Sequence, residues 1–581
     1  MGFLKPDMPE VDFAEWSQGT RSEKIRPMAR HWAEVGFGTP VVMHLFYVFK
    51  ICLYILGAWL FALATKGIDG FTNVGQWWSE PIVFQKVVLY TMLFEVVGLG
   101  CGFGPLNNRF FPPMGSILYW LRPNTIRLPP WPRIPLTKGT ARTPVDVLLY
   151  AALLVMLVWA LLSDGTGGVP GRLPLWQIWT ILGVLAVLGL RDKVIFLAAR
   201  GEVYASLTVT FLFVGTDMIV GAKVIFLVIW MGAATSKLNK HFPFVISTMM
   251  SNNPLIRTKW LKRKFFENFP DDLRPGRVSR VLAHFSTAIE MLVPLVLLFC
   301  HGGWPTAIAA FAMVCFHFGI LSAIPMGVPL EWNVFMIFGV IWLFVTHANL
   351  GLSDLKNPVP VAILFVVVAG TVVVGNLFPR KVSFLPGMRY YAGNWDTSWW
   401  CVKPSANEKI EKGLVAIASM PASQLERFYG SPEQAMIYLY KGYAFRGFNS
   451  HGKALLTLVH RALAGRNEDD YVITEGERLC STAVGWNFGD GHMHNEQLIA
   501  AMQERCHFEP DEVRVILLDA QPIHKQRQEY RLVDAATGEF ERGYVNVSDM
   551  VAGQPWSDDL PVHVVSDDAA HDADRSRSLE T

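Results

Sequence analysis

In the first two thirds of this chain, Lys and Arg fall almost entirely in every second gap between long apolar stretches. The N-terminal segment carries Lys5, Arg21, Lys24, Arg26 and Arg30. The second gap carries Arg109, Arg122, Arg127, Arg133, Lys138 and Arg142, and the fourth Arg191 and Lys193. The sixth gap is the richest, running from Lys240 through Lys262, Arg263 and Lys264 to Arg280. The intervening gaps hold little beyond Lys66, Arg172 and Lys356. Positive flanks of membrane spans stay cytoplasmic, so this alternation predicts an inner-membrane protein with both termini in the cytoplasm. The eighth gap, near Pro325, has no basic residue and gives the pattern no support.

About ten stretches approach the ~20 apolar residues that a helix needs to cross a bilayer. They are 41–65, 82–103, 145–162, 175–190, 194–215, 218–236, 281–300, 305–323, 332–346 and 359–378. The fifth is interrupted by Arg200, Gly201 and Glu202, which suits a tilted or broken helix. The chain is 51% hydrophobic and only 17% charged, an unusual pairing for a soluble protein. Its net charge of +2, with the basic residues beside spans, excludes a nucleic-acid binder. Cys52, Cys101, Cys300 and Cys315 lie in apolar runs, while Cys401, Cys480 and Cys506 offer no disulfide framework. Residues 1–40 are polar and lack a signal-peptide core, so the first span is expected to act as an uncleaved anchor.

Two of the basic gaps have character of their own. Around Pro130 the second reads Arg-Leu-Pro-Pro-Trp-Pro-Arg-Ile-Pro, a stiff extended chain with an interfacial aromatic. In the sixth, Phe265, Phe266 and Phe269 beside basic residues suit either an amphipathic surface helix or an ordinary solvated connector. Composition changes after residue 378. A linker over 379–402 leads to a cytosolic α+β domain over 403–565, then to a polar, acidic, disordered tail over 566–581. Ser431-Pro-Glu starts a helix, 453–464 and 496–505 read as helices, and 513–518 as a strand. Residues 530–533 and 544–547 form a hairpin around Ala-Thr-Gly. The expected architecture is therefore an all-α polytopic bundle with a C-terminal cytosolic α+β domain.

Ionisable residues inside spans are costly and are paired or functional where they persist. Lys50 and Glu95 fall at one depth on the first two spans, which predicts an ion pair. Such a pair can simply fix the register of two helices. Lys237, His284, Glu290 and His317 lie in the inner half of three consecutive spans. Together they could do acid–base chemistry, because burial disfavours charge and eases proton exchange between a Glu and a Lys. His284 and Glu290 do not share a helical face, and Lys237 can also snorkel to the interface.

Three motifs in this region resemble one membrane domain. They are Gly232-Ala-Ala-Thr-Ser-Lys-Leu, His284-Phe-Ser-Thr-Ala-Ile-Glu-Met-Leu-Val-Pro-Leu and Phe316-His-Phe-Gly-Ile-Leu. Residues 193–324 resemble the multi-helix domain of vitamin K-dependent gamma-carboxylase and its bacterial relatives. The resemblance implies that Lys237 stands where that family has its base toward a reduced quinone. Asn239-Lys240-His241-Phe242 departs from the carboxylase pattern, and the β-rich lumenal part is missing, so peptide carboxylation is not implied. As a whole, the chain resembles an actinobacterial family of transmembrane proteins of unassigned function.

In the cytosolic domain Asp490, His492, His494 and Glu496 form a dense polar cluster able to ligate a divalent metal. The same residues suit a Gly-rich turn capping the next helix. No phosphate-cradling Gly-rich motif appears, which argues against a nucleotide-driven pump. Two function classes remain. One is a membrane enzyme acting on a lipid or quinone through the Lys237 group. The other is a non-catalytic subunit, scaffold or carrier of a lipid-handling complex, with membrane lipids and a membrane protein complex as partners. The topology is testable by cysteine substitution at Asp354 and Asp558. An impermeant thiol reagent on intact cells is expected to reach position 354 and not 558, and labelling at 558 would reverse the orientation.

Overall fold

The computed structural model describes residues 2–101, 115–323 and 330–565. Arg109, most of the eighth gap and the acidic tail fall outside them. Among the described residues, six helices are long and apolar enough to cross a membrane: Val41–Leu63, Pro144–Leu162, Asp217–Ser236, Arg277–Phe299, Gly303–Ala323 and Pro358–Leu377. The other expected spans are shorter or broken. Leu175–Arg191 and Leu330–Thr346 are apolar but brief, and the second keeps Pro81–Val96. The fifth divides into Lys193–Ala198 and Gly201–Thr210, because Arg200 takes a left-handed conformation between them. A non-glycine residue at φ +51 is uncommon and cannot continue a helix.

The gaps sort onto two ends of the bundle. Trp120 donates to the Val484 carbonyl (2.9 Å), Gln497 to the Pro129 carbonyl (2.8 Å), and the Leu273 amide to Gln554 Oε1 (2.9 Å). The second and sixth gaps thus rest on the C-terminal domain, and the Lys193 amide ties the fourth to Leu128 (2.9 Å). At the other end the Lys66 amide donates to Asp164 Oδ1 (2.7 Å), Arg172 to the Gly215 carbonyl (2.6 Å), and Thr216 to the Asp354 carbonyl (3.1 Å).

Helix Arg21–Val35 joins the domain end too. A capping box between Thr20 and Glu23 starts it. Its buried face of Ile25, Met28, Ala29 and Trp32 follows helical spacing, and Trp32 packs on Phe445 (5.1 Å) and Phe37 (5.7 Å). The Arg21 guanidinium meets Glu468 at 3.2 Å. The described parts of both termini therefore lie at one end of the bundle.

The C-terminal domain is built on a six-stranded antiparallel sheet. Numbered in chain order after the hairpin strands β1 (Phe266–Asn268) and β2 (Asp272–Pro275), its strands are β3 (Thr397–Val402), β4 (Val472–Glu475), β5 (Val513–Leu518), β6 (Arg527–Asp534), β7 (Gly538–Asn546) and β8 (His563–Val564), in the order β4-β3-β5-β6-β7-β8. β3 is buried throughout and pairs on both sides, from Thr397 opposite Leu518 to Val402 opposite Val513 and Val472. It occupies the end of the segment expected to be a linker. The β6–β7 turn follows from its sequence: Asp534 Oδ1 accepts from the amides of Ala536 (2.9 Å) and Thr537 (3.1 Å), and Gly538 takes φ +96. Ser431 caps Pro432–Phe448 as its sequence predicts, and Ser450–Leu463 lays Leu455, Leu458, Val459 and Ala462 into the core.

The sixth gap departs from the surface-helix expectation. It contains the buried helix Phe242–Asn252 and a hairpin of β1 (Phe266–Asn268) with β2 (Asp272–Pro275). Pro270 denies a helix its continuation. Phe265 and Phe266 are buried, with Phe266 against Phe448 (5.5 Å), so these aromatics pack on protein.

Three buried histidines hold the domain core and its contact with the bundle. His241 lies between Ser450 and Gln521, His451 beside the Gly393 carbonyl (3.2 Å) and Trp395, and His494 beside Ser398 (2.7 Å). Burial pushes His241 down to about 4 and both His451 and His494 down to about 3. The unfolded chain therefore takes up protons first. Stability is full above pH 6.5 and falls as pH drops toward 4, by roughly 1 kcal/mol per pH unit for each histidine. Thermal melts in detergent between pH 7.5 and 4.5 should show this fall, and His241→Gln should make it shallower. A flat profile would contradict the buried neutral histidines.

Candidate functional site

Lys237 follows helix Asp217–Ser236 as its C-cap, and Glu290 lies on helix Arg277–Phe299. These two helices pack together, and Lys237 Nζ donates to Glu290 Oε2. The pair is buried, at 8% and 6% side-chain exposure. The ammonium also faces the rings of Phe242 (5.4 Å) and Phe316 (5.9 Å), within the reach of cation–π attraction.

His317 lies on the adjacent helix Gly303–Ala323. Trp230 Nε1 donates to its Nε2 (2.9 Å). Indole has no acceptor, so the imidazole proton sits on Nδ1 and points at Asn333 Oδ1 (3.1 Å). His317 is thereby fixed and neutral. Lys237, Glu290 and His317 line one cavity of about 450 Å³, whose walls are otherwise mostly apolar, among them Phe285, Ile289, Phe316 and Trp332. His284 does not line it. It is exposed and faces a separate chamber, because its position puts it on another side of the helix from Glu290.

The far wall of the cavity is a feature that residue spacing did not reveal. Arg200 lies over the rings of Trp332 (4.6 Å), Tyr390 (5.4 Å) and Phe488 (5.4 Å). Its Nε donates to Glu202 Oε1 (2.7 Å), which also accepts from the Tyr390 hydroxyl (3.2 Å). The one signal in the sequence was the Arg-Gly-Glu interruption of the fifth span. Tyr390 and Phe488 come from beyond the bundle, so the C-terminal part of the chain closes the cavity.

Next to this wall sits the other ionic group. Lys50 meets the Glu331 carboxylate at 3.0 Å, a partner absent from the sequence expectation, and donates to the Gly100 carbonyl (3.1 Å). Glu95, the expected partner, accepts from the amide (2.8 Å) and thiol (3.2 Å) of Cys101, because residues 98–101 fold back over the end of its helix. Ligand-type atoms of Glu95, Cys101 and Glu331 lie within 4.8 Å of one another. Lys50 and Arg200, whose Nη1 approaches Cys101 Sγ at 3.5 Å, supply positive charge to this group.

The metal expectation in the cytosolic domain finds its four residues engaged separately. Asp490 caps a turn by accepting from the His492 amide (3.1 Å), and His492 Nε2 meets the Pro379 carbonyl (2.9 Å). His494 bonds Ser398, and Glu496 pairs with Arg531. Asp490, His492, His494 and Glu496 thus serve as cap, strut and ion-pair members. They do not form a convergent ligand set among the described residues.

Fold and site define a class: a polytopic membrane protein with a mostly apolar cavity and an ion pair in its wall. The chain belongs to the family described as "Transmembrane protein of unknown function (DUF3556)", which matches residues 1–565. No curated protein and no solved structure matches it. These comparisons show no likeness to the carboxylase membrane domain.

The Lys50–Glu331 pair yields a stability prediction. Replacing Lys50 alone with Met strands the buried Glu331 carboxylate and should cost roughly 3–5 kcal/mol. Lys50→Met with Glu331→Leu should recover much of that in thermal melts. A double variant no better than the single one would remove the pair as the source of the cost.

Proposed function

We propose that the bundle cavity takes a lipid or quinone-like molecule and that the Lys237–Glu290 pair performs acid–base chemistry on it. One observation carries this reading: a buried Lys–Glu pair forms part of the wall of a mostly apolar cavity of about 450 Å³. That volume falls within the roughly 300–1,000 Å³ of small-molecule sites. A buried ion pair is a weak source of stability, and apolar residues of like size often serve the fold as well or better. In this reading Glu290 and Lys237 exchange a proton through a substrate atom between them. Neutral His317, with both ring nitrogens taken by Trp230 and Asn333, is a fixed part of the cavity wall. The likeness of residues 193–324 to the carboxylase domain belongs to this reading, with Lys237 as the base. So does a ten-segment topology with both termini in the cytoplasm, which the sorting of gaps onto two ends supports.

The second reading, a non-catalytic carrier or subunit, is favoured by His317 and His284. Both His317 nitrogens are engaged, and His284 lies outside the cavity, so the four expected residues reduce to two with acid–base freedom.

The two separate on the apolar material extracted from purified protein. Lys237→Met with Glu290→Leu should fold at least as stably as the parent. Mass spectrometry of the bound fraction should then show a different species on the variant, substrate where the parent holds product. The same molecule in the same amount on both proteins would leave a carrier. No apolar molecule on either would remove the cavity reading.

A further inference from the structure

Lys237 and Phe242 each line two spaces. One is the apolar cavity, and the other is a chamber of about 400 Å³ between the bundle and the C-terminal domain. The bundle side of that chamber presents Lys237, Asn239, Lys240 and His284, and the domain side Asn394, Gln521 and Gln526. Its chemistry is one-sided: two Lys, one His, several amides and two hydroxyls line it, with no Asp or Glu among the described lining residues.

The groups divide into those that build the chamber and those left available. Asn239 Oδ1 accepts from the amides of His241 (2.7 Å) and Phe242 (2.9 Å). Asn394 bonds Gln521 in both directions, and His241 Nε2 meets Gln521 Oε1 (2.6 Å). These bonds fix the walls. Lys240, His284 and Gln526 are exposed, and none of their side chains has a hydrogen bond or ion pair among the described residues.

We propose that the two spaces hold one amphipathic molecule, an anionic lipid with an apolar chain in the bundle cavity and a phosphate-bearing headgroup in the chamber. The proposal rests on the reading that the cavity takes a lipid-like molecule, and it adds the substrate class. An anion beside Lys240 and His284 gains charge-assisted hydrogen bonds with no carboxylate competing for them. A zwitterionic headgroup brings a cation into the same wall and loses most of that gain. Lys237 stands at the junction, where a headgroup phosphate competes with Glu290 for the ammonium. Binding would then loosen the pair on which the acid–base chemistry depends.

The test uses the purified full chain in mild detergent and native mass spectrometry. The probes are phosphatidylglycerol, phosphatidylcholine with the same acyl chains, and free glycerol phosphate. The parent should retain phosphatidylglycerol over phosphatidylcholine by about tenfold, as the Lys237 and Lys240 ammonium groups near an anionic headgroup predict. Lys240→Glu with His284→Glu should bring phosphatidylglycerol down to the phosphatidylcholine level, with an unchanged melting midpoint because both residues are exposed. Gly319→Phe fills the apolar cavity, where an added Cβ meets nothing within 4 Å, and should lower retention of both lipids. If the tenfold preference survives the charge reversal, the headgroup assignment is overturned and the cavity reading stands. Full retention by Gly319→Phe overturns the cavity reading and this proposal together. Competition by glycerol phosphate as strong as that by the lipid would assign the chamber to a free anion and overturn the lipid form.

Discussion

The Lys50–Glu331 pair sits among helices where hydrocarbon offers no water to either charge, and much of the bundle's arrangement follows from that condition. Each ion taken from water costs several kcal/mol after relaxation, so it must find a partner in the protein. Helix Leu330–Gly339 brings Glu331 to the first span, residues 98–101 fold back to give Glu95 an amide and a thiol, and Arg200 leaves the helical conformation to reach Glu202. The break in the fifth span is thus the backbone's answer to an Arg that cannot remain unpaired. The aromatic rings around Arg200 complete its surroundings where water is absent.

A comparable condition governs the joint between bundle and C-terminal domain, with neutral groups in place of charges. His241 leaves the bundle and ends between Ser450 and Gln521. Tyr390 and Phe488 reach back to close the cavity. Helix Arg21–Val35 lays Trp32 against Phe445, so the chain's beginning is part of the domain that its end builds. The site is consequently shared. Its ion pair belongs to the bundle, its far wall partly to residues after the last span, and its lower chamber to both.

The sequence made some of this legible and left the rest hidden, for physical reasons. Apolar length located the long helices, because hydrocarbon thickness imposes it residue by residue. Local chemistry placed the Ser431 cap, the β6–β7 hairpin and the strand at 513–518, since turns and caps are decided within a few residues. Lys237, Glu290 and His317 were visible as costly residues at one depth. The partner of Lys50 was not visible, because Glu331 reaches it through helix packing order that no local pattern encodes. The cytosolic His-x-His cluster suited both a metal site and a capping turn, because ligand-like spacing says nothing about which nearby carbonyl, Ser or Arg takes each side chain first. Phe265 and Phe266 suited either a surface helix or a solvated connector, because the burial partner of Phe266, Phe448, lies far away in sequence.

The two buried ion pairs of the bundle differ in what surrounds them, and that difference separates structure from function. Lys50 and Glu331 are locked among protein atoms, with a backbone carbonyl and a neighbouring carboxylate completing the group. Lys237 and Glu290 instead line open space on the apolar side, while Lys237 also borders the cationic chamber. A pair that only fixed helix register would gain from close packing on every side, because a void forfeits dispersion contacts along its whole lining. A pair that must meet a substrate has to give up that packing. In the proposed reading, the cavity beside Glu290 is the structural trace of that concession. It lies where an apolar chain and an anionic head could meet on opposite sides of one lysine.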